Sequence, residues 1–320
     1  PFWLKPFRLE PGAVAQAAGL RAFAPMEVTS PSVPCSRMPK KQARILAASD
    51  ARCIEGVPPK DRTRVLREAM IRRKEERCGR TRCARCWFPV DCSGTSYCVC
   101  SRMPPLAFRS RARFLIYMHP RDWYNAGDDA KILFNAAPSS TELFVFGRPG
   151  DDERLRAALA AAEAALLLFP DEDSLTLSEF MDRWRQWQAG CQRAPAAGSN
   201  ADCVAHGALG AGAVSASEGP ELSIVVIDGT WNNVKQMMKH FRREVGPDTP
   251  RVRLHPTTLS VYARTQTRSD GVSSVEAIAL LLQELGEAED VCAGLVRYIE
   301  VNNEALRLRP PPLDEEREDA

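Results

Sequence analysis

Two stretches of this chain carry residue types at spacings that can do chemistry. The first is CARCWFPVDCSGTSYCVC, residues 83–100, in which Cys83 and Cys86 form a C-x-x-C pair and Cys98 and Cys100 a C-x-C pair. Four thiolates in two close pairs match the tetrahedral preference of zinc. All four bonds then go to protein, which leaves no position for water or substrate and makes the ion structural. Cys92 lies between the pairs and Cys78 just before them, and either can replace one ligand. A redox pair would open a helix beside a βαβ unit, whereas Pro89 and Gly94 break the surroundings here. Arg80, Arg82, Arg85 and Arg102 flank the cluster, and arginines on a rigid knuckle suit phosphate contacts.

The second stretch is IVVIDGTW, residues 224–231. A β-branched run stops at Asp228, and Gly229, Thr230 and Trp231 lead into a helical pattern. In open α/β sheets, ligands bind beyond the carboxyl ends of strands, where an acid can orient a ligand or accept a proton. The simpler reading is a helix cap by Asp228 or Thr230, with Trp231 in the core on one helical face with Val234, Met238 and Phe241. The opposite face carries Asn232, Lys235, Lys239 and Arg242, a basic stripe that is either solvated surface or a hold on an RNA backbone. Further on, Arg264 and Arg268 precede SVEA, where Ser273 and Glu276 fit a capping box. An arginine near such a helix start can bind a carboxylate. His119, before Pro120, ends another apolar run. No Ser-His-Asp or Cys-His order supports a nucleophile.

Positioning these groups requires a sheet. Apolar runs over 114–118, 143–147, 165–169 and 222–227, with a short one over 251–254, predict five strands. Helical patterns over 60–77, 130–136, 151–164, 175–188, 231–244, 274–285 and 290–306 surround them. Continuous apolar strands that alternate with helices indicate an α/β fold, a mostly parallel sheet covered by helices on both faces. No Gly-x-Gly-x-x-Gly follows any strand and no P-loop occurs, so neither standard nucleotide fingerprint applies. The 60–77 helix has a thin apolar stripe among arginines and glutamates and needs a partner to be stable.

Composition bounds the rest. A charged fraction of 26% and a hydrophobic fraction of 44% describe a globular chain rather than a disordered one. The net charge of +2 hides an asymmetry: Lys60 to Arg113 holds fifteen basic against five acidic residues, and the last residues are mostly acidic. A polyanion partner fits the basic segment. The chain divides into a leader over 1–58, a basic helix and Cys-rich segment over 59–105, an α/β domain over 106–310 with a small-residue insertion at 190–220, and an acidic tail over 311–320. Residues 13–48, with Glu27 the one acid, are similar in composition to an organelle transit peptide, and a disordered leader fits equally. No apolar run is long enough to span a bilayer. Six of the eleven cysteines crowd into Cys78–Cys100, unlike a secreted disulfide framework. A cytoplasmic or nuclear location is expected, with organellar import the alternative.

Taken together the pieces resemble the DTW-domain family, the tRNA-uridine aminocarboxypropyltransferases. The resemblance rests on four elements in order: the arginine-flanked cysteines, HPRD at 119–122, DGTWNNVKQM at 228–237, and Arg264 followed by SVEA. It implies a fold related to the SPOUT methyltransferases, with a small zinc knuckle and an S-adenosylmethionine pocket near a knotted region. It implies transfer of the 3-amino-3-carboxypropyl group to N3 of a tRNA uridine, with release of methylthioadenosine. On that reading Asp228 takes the N3 proton, Thr230 hydrogen-bonds the cofactor, and Trp231 lines the pocket or stacks on a base or on adenine. His119, Gly229, Arg264, Ser274 and Glu276 complete the cofactor set. Arg264 clamps the carboxylate there, and Glu276 serves the ammonium or its own loop. Arg82, Arg85, Lys235, Lys239 and Arg242 would hold the RNA. The implied partner is tRNA, with neither DNA nor a membrane expected. The chain departs from the family after HPRD, where AGDDAK replaces an Asn-Thr-Gly-like stretch, so no pocket role is carried over to Asp128 and Asp129. A zinc-containing RNA-binding protein without transfer activity is the alternative.

Overall fold

The computed structural model describes residues 52–90, 97–193, 221–255, 260–262 and 272–308. Most of the expected leader, residues 194–220 of the expected insertion, Cys92, Arg264, Arg268 and the acidic tail lie outside the described residues. So do 256–259 and 263–271, on the way to the SVEA helix, and the implied knot is not traced through them.

Five strands form one sheet: β1 (Ala112–Met118), β2 (Thr141–Val145), β3 (Ala164–Leu168), β4 (Leu222–Asp228) and β5 (Arg251–Val252). Their order is β2-β1-β4-β3-β5, and every pair is parallel. Central β4 is buried along its whole length. Its alternation divides the core: Ile224 and Val226 pack with Phe114, Ile116 and Leu166 on one face, while Val225 and Ile227 pack with Leu115, Tyr117 and Leu167 on the other. Both faces are covered, as continuous apolar strands require.

The helices are α1 (Pro59–Thr81), α2 (Leu133–Ala136, entered by a 3-10 turn at Ala130–Ile132), α3 (Asp151–Ala160), α4 (Leu177–Arg193), α5 (Trp231–His240), α6 (Ser274–Glu284) and α7 (Glu289–Leu308). Apolar residues of α6 and α7 fill the first core together with Trp87 and Phe88 of the cysteine segment. Leu155 of α3 and Val234, Met237 and Met238 of α5 fill the second. None of the helices described is long and apolar enough to cross a membrane.

Several boundaries differ from expectation, three of them with a clear cause or consequence. The alanine-rich helix expected to reach residue 164 stops at Ala160, because Ala164 pairs with Leu222 at the start of β3; sheet pairing outweighs alanine's helix propensity there. The helix after Trp231 widens into a π-turn over Phe241–Val245, where the Gly246 amide reaches the Phe241 carbonyl at 2.9 Å. β5 shortens to two residues. The thin stripe of α1 finds its partner in the turn after β1: Lys74 Nζ donates to the carbonyls of Arg121 (2.6 Å) and Trp123 (2.8 Å). The Arg67 guanidinium also lies 4.0 Å over the Phe146 ring.

Candidate functional site

The knuckle brings its four thiols together. Sγ–Sγ distances are 3.6 Å for Cys83–Cys100, 3.6 Å for Cys86–Cys98 and 3.5 Å for Cys98–Cys83. A tetrahedron with zinc–sulfur bonds of about 2.3 Å has sulfurs about 3.8 Å apart, so the four residues fit the ion with little adjustment. Cys78 is buried on α1 and is not part of this group. The loop is tied by amides, with Trp87 N on the Cys83 carbonyl and Cys83 N on the Phe88 carbonyl, each at 3.0 Å. Trp87 itself sits at φ 58°. Crowded thiols cannot all ionise without a cation: the hydrogen bond from Cys100 holds Cys86 down to about 4, and the same bond pushes Cys100 up. Arg82 departs from its expected role, since its guanidinium donates to the Trp87 carbonyl at 2.9 Å and braces the knuckle. Arg85 is exposed. Arg102 pairs with Glu304.

The second cluster forms where two central strands end together. Met118 pairs with Asp228 in the β1–β4 register, and the His119 amide donates to the Asp228 carbonyl at 2.9 Å. The turn after His119 runs back under the sheet edge and delivers Asp128 and Asp129. One oxygen from each of Asp128, Asp129 and Asp228 falls within a sphere of contact 4.8 Å across, and all three residues are buried. The start of α6 holds two of them: Ser274 Oγ donates to Asp228 Oδ1 at 2.6 Å, and the Val275 amide donates to Asp129 Oδ2 at 2.8 Å. A helix N-terminus favours negative charge. Asp128 Oδ1 and Asp228 Oδ2 meet no hydrogen-bond partner among the described residues.

Burial pushes the Asp128 carboxyl well above the usual range, and the adjoining Asp228 charge and hydrogen bond add to it. Burial, then Asp228, push Asp129 up to about 6, against the opposing pull of the Val275 amide. The cluster thus keeps a proton that separate surface carboxylates would lose. Fully buried Lys131 stands beside it, its Nζ donating to the Ala126 carbonyl and lying 4.8 Å over the Phe88 ring. Burial pulls its ammonium down to about 7, and Asp128 is the main counterweight. Lys131 therefore feels the charge of the carboxylates while resting on Phe88 of the knuckle.

His119 is buried, its Nδ1 accepts from the Arg121 amide at 3.3 Å, and burial followed by Arg67 lowers it to about 4. It is neutral at physiological pH. Gly229 is at φ +155°, and a Cβ there would come within 3.1 Å of His119 Cβ and 3.4 Å of Asp122 Oδ2. Only glycine lets the chain turn this close to the β1 edge.

Neither simple reading of DGTW holds. Asp228 does not cap α5 but reaches across to α6. Thr230 occupies the N-cap position with an extended backbone, yet makes no side-chain cap bond and is exposed. Trp231 is not core: Val234, Met238 and Phe241 are buried, while the indole stays half-exposed with its edge toward Phe169 at 6.2 Å. Glu276 takes the loop role. Besides the Ser273 amide of the capping box (2.7 Å), it accepts from Ser260 Oγ (2.5 Å) and the Val261 amide (2.6 Å). Ser274, expected in the cofactor set, spends its hydroxyl proton on Asp228. Lys235, Lys239 and Arg242 are exposed along α5 and the turn after it.

Sequence reasoning left out Asp128, Asp129 and Lys131. The available signal was DDAK itself, two adjacent acids and a lysine directly after a carboxyl-edge turn.

A parallel α/β sheet with buried carboxylates near the carboxyl ends of its central strands has its candidate ligand site at that edge. The sequence model of the DTW domain matches residues 80–306, and the chain belongs to the DTW-domain family. The DTW domain is linked to tRNA-modifying enzymes. Comparison with curated proteins and with solved structures returns no match.

Proposed function

We propose that this chain transfers the 3-amino-3-carboxypropyl group of S-adenosylmethionine to N3 of a tRNA uridine, with methylthioadenosine released. The observation that carries the reading is Asp228: a buried carboxylate at the end of the central strand, oriented by Ser274, with no fixed donor on its second oxygen. Uridine N3–H is a weak acid, and a positioned carboxylate can take its proton as nitrogen attacks. Ser274 keeps Oδ1 occupied, so Oδ2 is the oxygen left to do so.

S-adenosylmethionine would bring an already activated sulfonium leaving group, so the protein's work is positioning. The edge leaves room for such a group: the glycine at 229 lets the backbone turn close to His119 with no side chain in the way. Exposed Thr230 and half-exposed Trp231 stand at the mouth of the same edge, where the indole offers a face to a base or to adenine. Zinc would hold the knuckle, and with it Phe88 and Lys131, against the carboxylates. The exposed Lys235, Lys239, Arg242 and Arg85 supply contacts to tRNA phosphates.

The test is incubation with tRNA and S-adenosylmethionine labelled in the aminocarboxypropyl carbons. Label should enter tRNA, and methyl label should stay out. Protein that holds zinc and tRNA yet transfers no label would be an RNA-binding protein without transfer activity, and the reading would be abandoned.

A further inference from the structure

A separate cleft of about 300 Å³ lies between the knuckle, α1 and the turn after β1. Buried Trp87 and Trp123 form its floor, and half-buried Tyr124 and Phe134 its walls. Arg148 and exposed Glu75 stand at the rim, joined by an ion pair of 3.1 Å. None of the carboxylates around Asp228 contributes to it.

Three observations set this cleft apart from ordinary packing. First, it is built of rings: Trp87 lies 5.8 Å from Tyr124 and 6.0 Å from Phe134, Trp123 lies 4.8 Å from Tyr124, and the Arg148 guanidinium lies 5.3 Å from the Trp123 ring. Second, Trp87 and Tyr124 are the two non-glycine residues at positive φ among those described, 58° and 60°. Bulky side chains rarely adopt that conformation, and such strain gathers at ligand clamps. Third, the surrounding segment Lys60–Arg113 carries a basic excess of ten, with Arg85 exposed at the knuckle. Aromatic faces with a guanidinium and a basic margin are the chemistry that holds an unstacked nucleobase. The volume sits at the low end for small-ligand pockets, about 300–1,000 Å³, enough for one base and too small for a whole nucleoside cofactor.

We infer that this cleft holds one unstacked base of the RNA, other than the uridine that reacts. The inference rests on RNA being the substrate, as proposed above. The cleft and the acid are joined through one turn: the Trp123 amide donates to the His119 carbonyl at 3.2 Å, and the His119 amide to the Asp228 carbonyl. A base seated against Tyr124 would fix where the neighbouring strand crosses the Asp228 edge.

The experiment uses the full-length zinc-loaded protein and a single-stranded RNA carrying 2-aminopurine at one position, scanned along the strand. Stacking quenches the probe. Quenching at one position is expected, with affinity about tenfold weaker in Tyr124→Leu and within about twofold in Tyr124→Phe. Phe134→Leu serves as a second variant should Tyr124→Leu not fold by circular dichroism. Unaltered affinity and quenching in the folded leucine variant overturns the assignment. The outcomes separate: label transfer with indifferent cleft variants removes the cleft alone, and leucine-sensitive quenching without label transfer removes the transferase reading alone. Wild-type protein that retains no RNA removes both.

Discussion

The knuckle and the carboxylate cluster solve the same problem, gathering like ligands in a small volume, by opposite means. The knuckle's four sulfurs come from Cys83 to Cys100, a short local stretch. The three carboxylates come from Asp128 and Asp129 on one side and Asp228 on the other, brought together by the β1–β4 register and the start of α6. The local cluster has the ligand set of a structural zinc site, in which metal bonds would order a short loop. The long-range cluster is fixed by a packed sheet and gathers repelling charges that the core must hold in place. With zinc bound, the first would stabilise the fold, whereas the second is a site that the fold stabilises.

Zinc removal should produce the largest change. Structural zinc contributes on the order of 10 kcal/mol in small sites, and here Trp87 and Phe88 of the knuckle are part of the main core. Chelation, or Cys83→Ser, should release about one zinc per chain, expose the knuckle to protease and lower the melting temperature sharply. A metal-free protein with unchanged melting would count the knuckle as mere packing.

Asp228→Asn should do the reverse, losing function while keeping or gaining stability. Transfer should fall by about 10²–10⁴-fold, the usual contribution of a general base, with RNA binding retained. The asparagine Oδ1 can still accept from Ser274, while one of the crowded charges is gone. The pH dependence gives a second reading. Asp129 at about 6 in the folded state lies above an unfolded aspartate at about 3.9. The folded protein then binds more protons between those values, so its contribution is fully present below about 3.9 and is lost as pH rises through about 6. In Asp228→Asn that loss should shrink, as read from denaturant midpoints across pH 4–7. A variant less stable than wild type at neutral pH would contradict the account of repelling carboxylates.

The contrast also explains which parts could be read from sequence. C-x-x-C with C-x-C, the capping box of Ser273 and Glu276, and strands β1 and β4 are local patterns, and all appear close to where spacing placed them. Asp128 and Asp129 were out of reach because their nearness to Asp228 depends on strand order, which periodicity does not encode. For Trp231, spacing alone left the core and the pocket edge both open, for a related reason. Helical spacing gives the face a residue shares, not how deep the helix sits, and Phe169 covers one side of the indole only partly. Glu276 belonged to both levels. Its capping bond is local, whereas its bonds to Ser260 and Val261 needed the fold.

Gly229→Ala tests the hinge between the two kinds of order. Its Cβ would press on His119 at 3.1 Å with the backbone at φ +155°, and the strain should cost about 1–3 kcal/mol. The melting temperature should drop by several degrees, and transfer should fall more than folding does, since the displaced atoms adjoin Asp228. Equal stability and activity would show that this edge has room to spare.

The smallest effects belong to the basic stripe. Lys235 and Lys239 are exposed on α5, away from both clusters, so replacing them should leave zinc content and melting unchanged. Each phosphate contact releases counterions, and the logarithm of affinity falls with the logarithm of salt by about 0.7 to 0.9 per contact. Lys235→Ala and Lys239→Ala should each weaken tRNA binding a few-fold at low salt and make the slope shallower by about that amount. The double variant should be additive, because the two ammoniums act on separate phosphates and share no partner. A double variant with the wild-type slope would place the RNA elsewhere, and would leave the knuckle face around Arg85 as the remaining surface for its backbone.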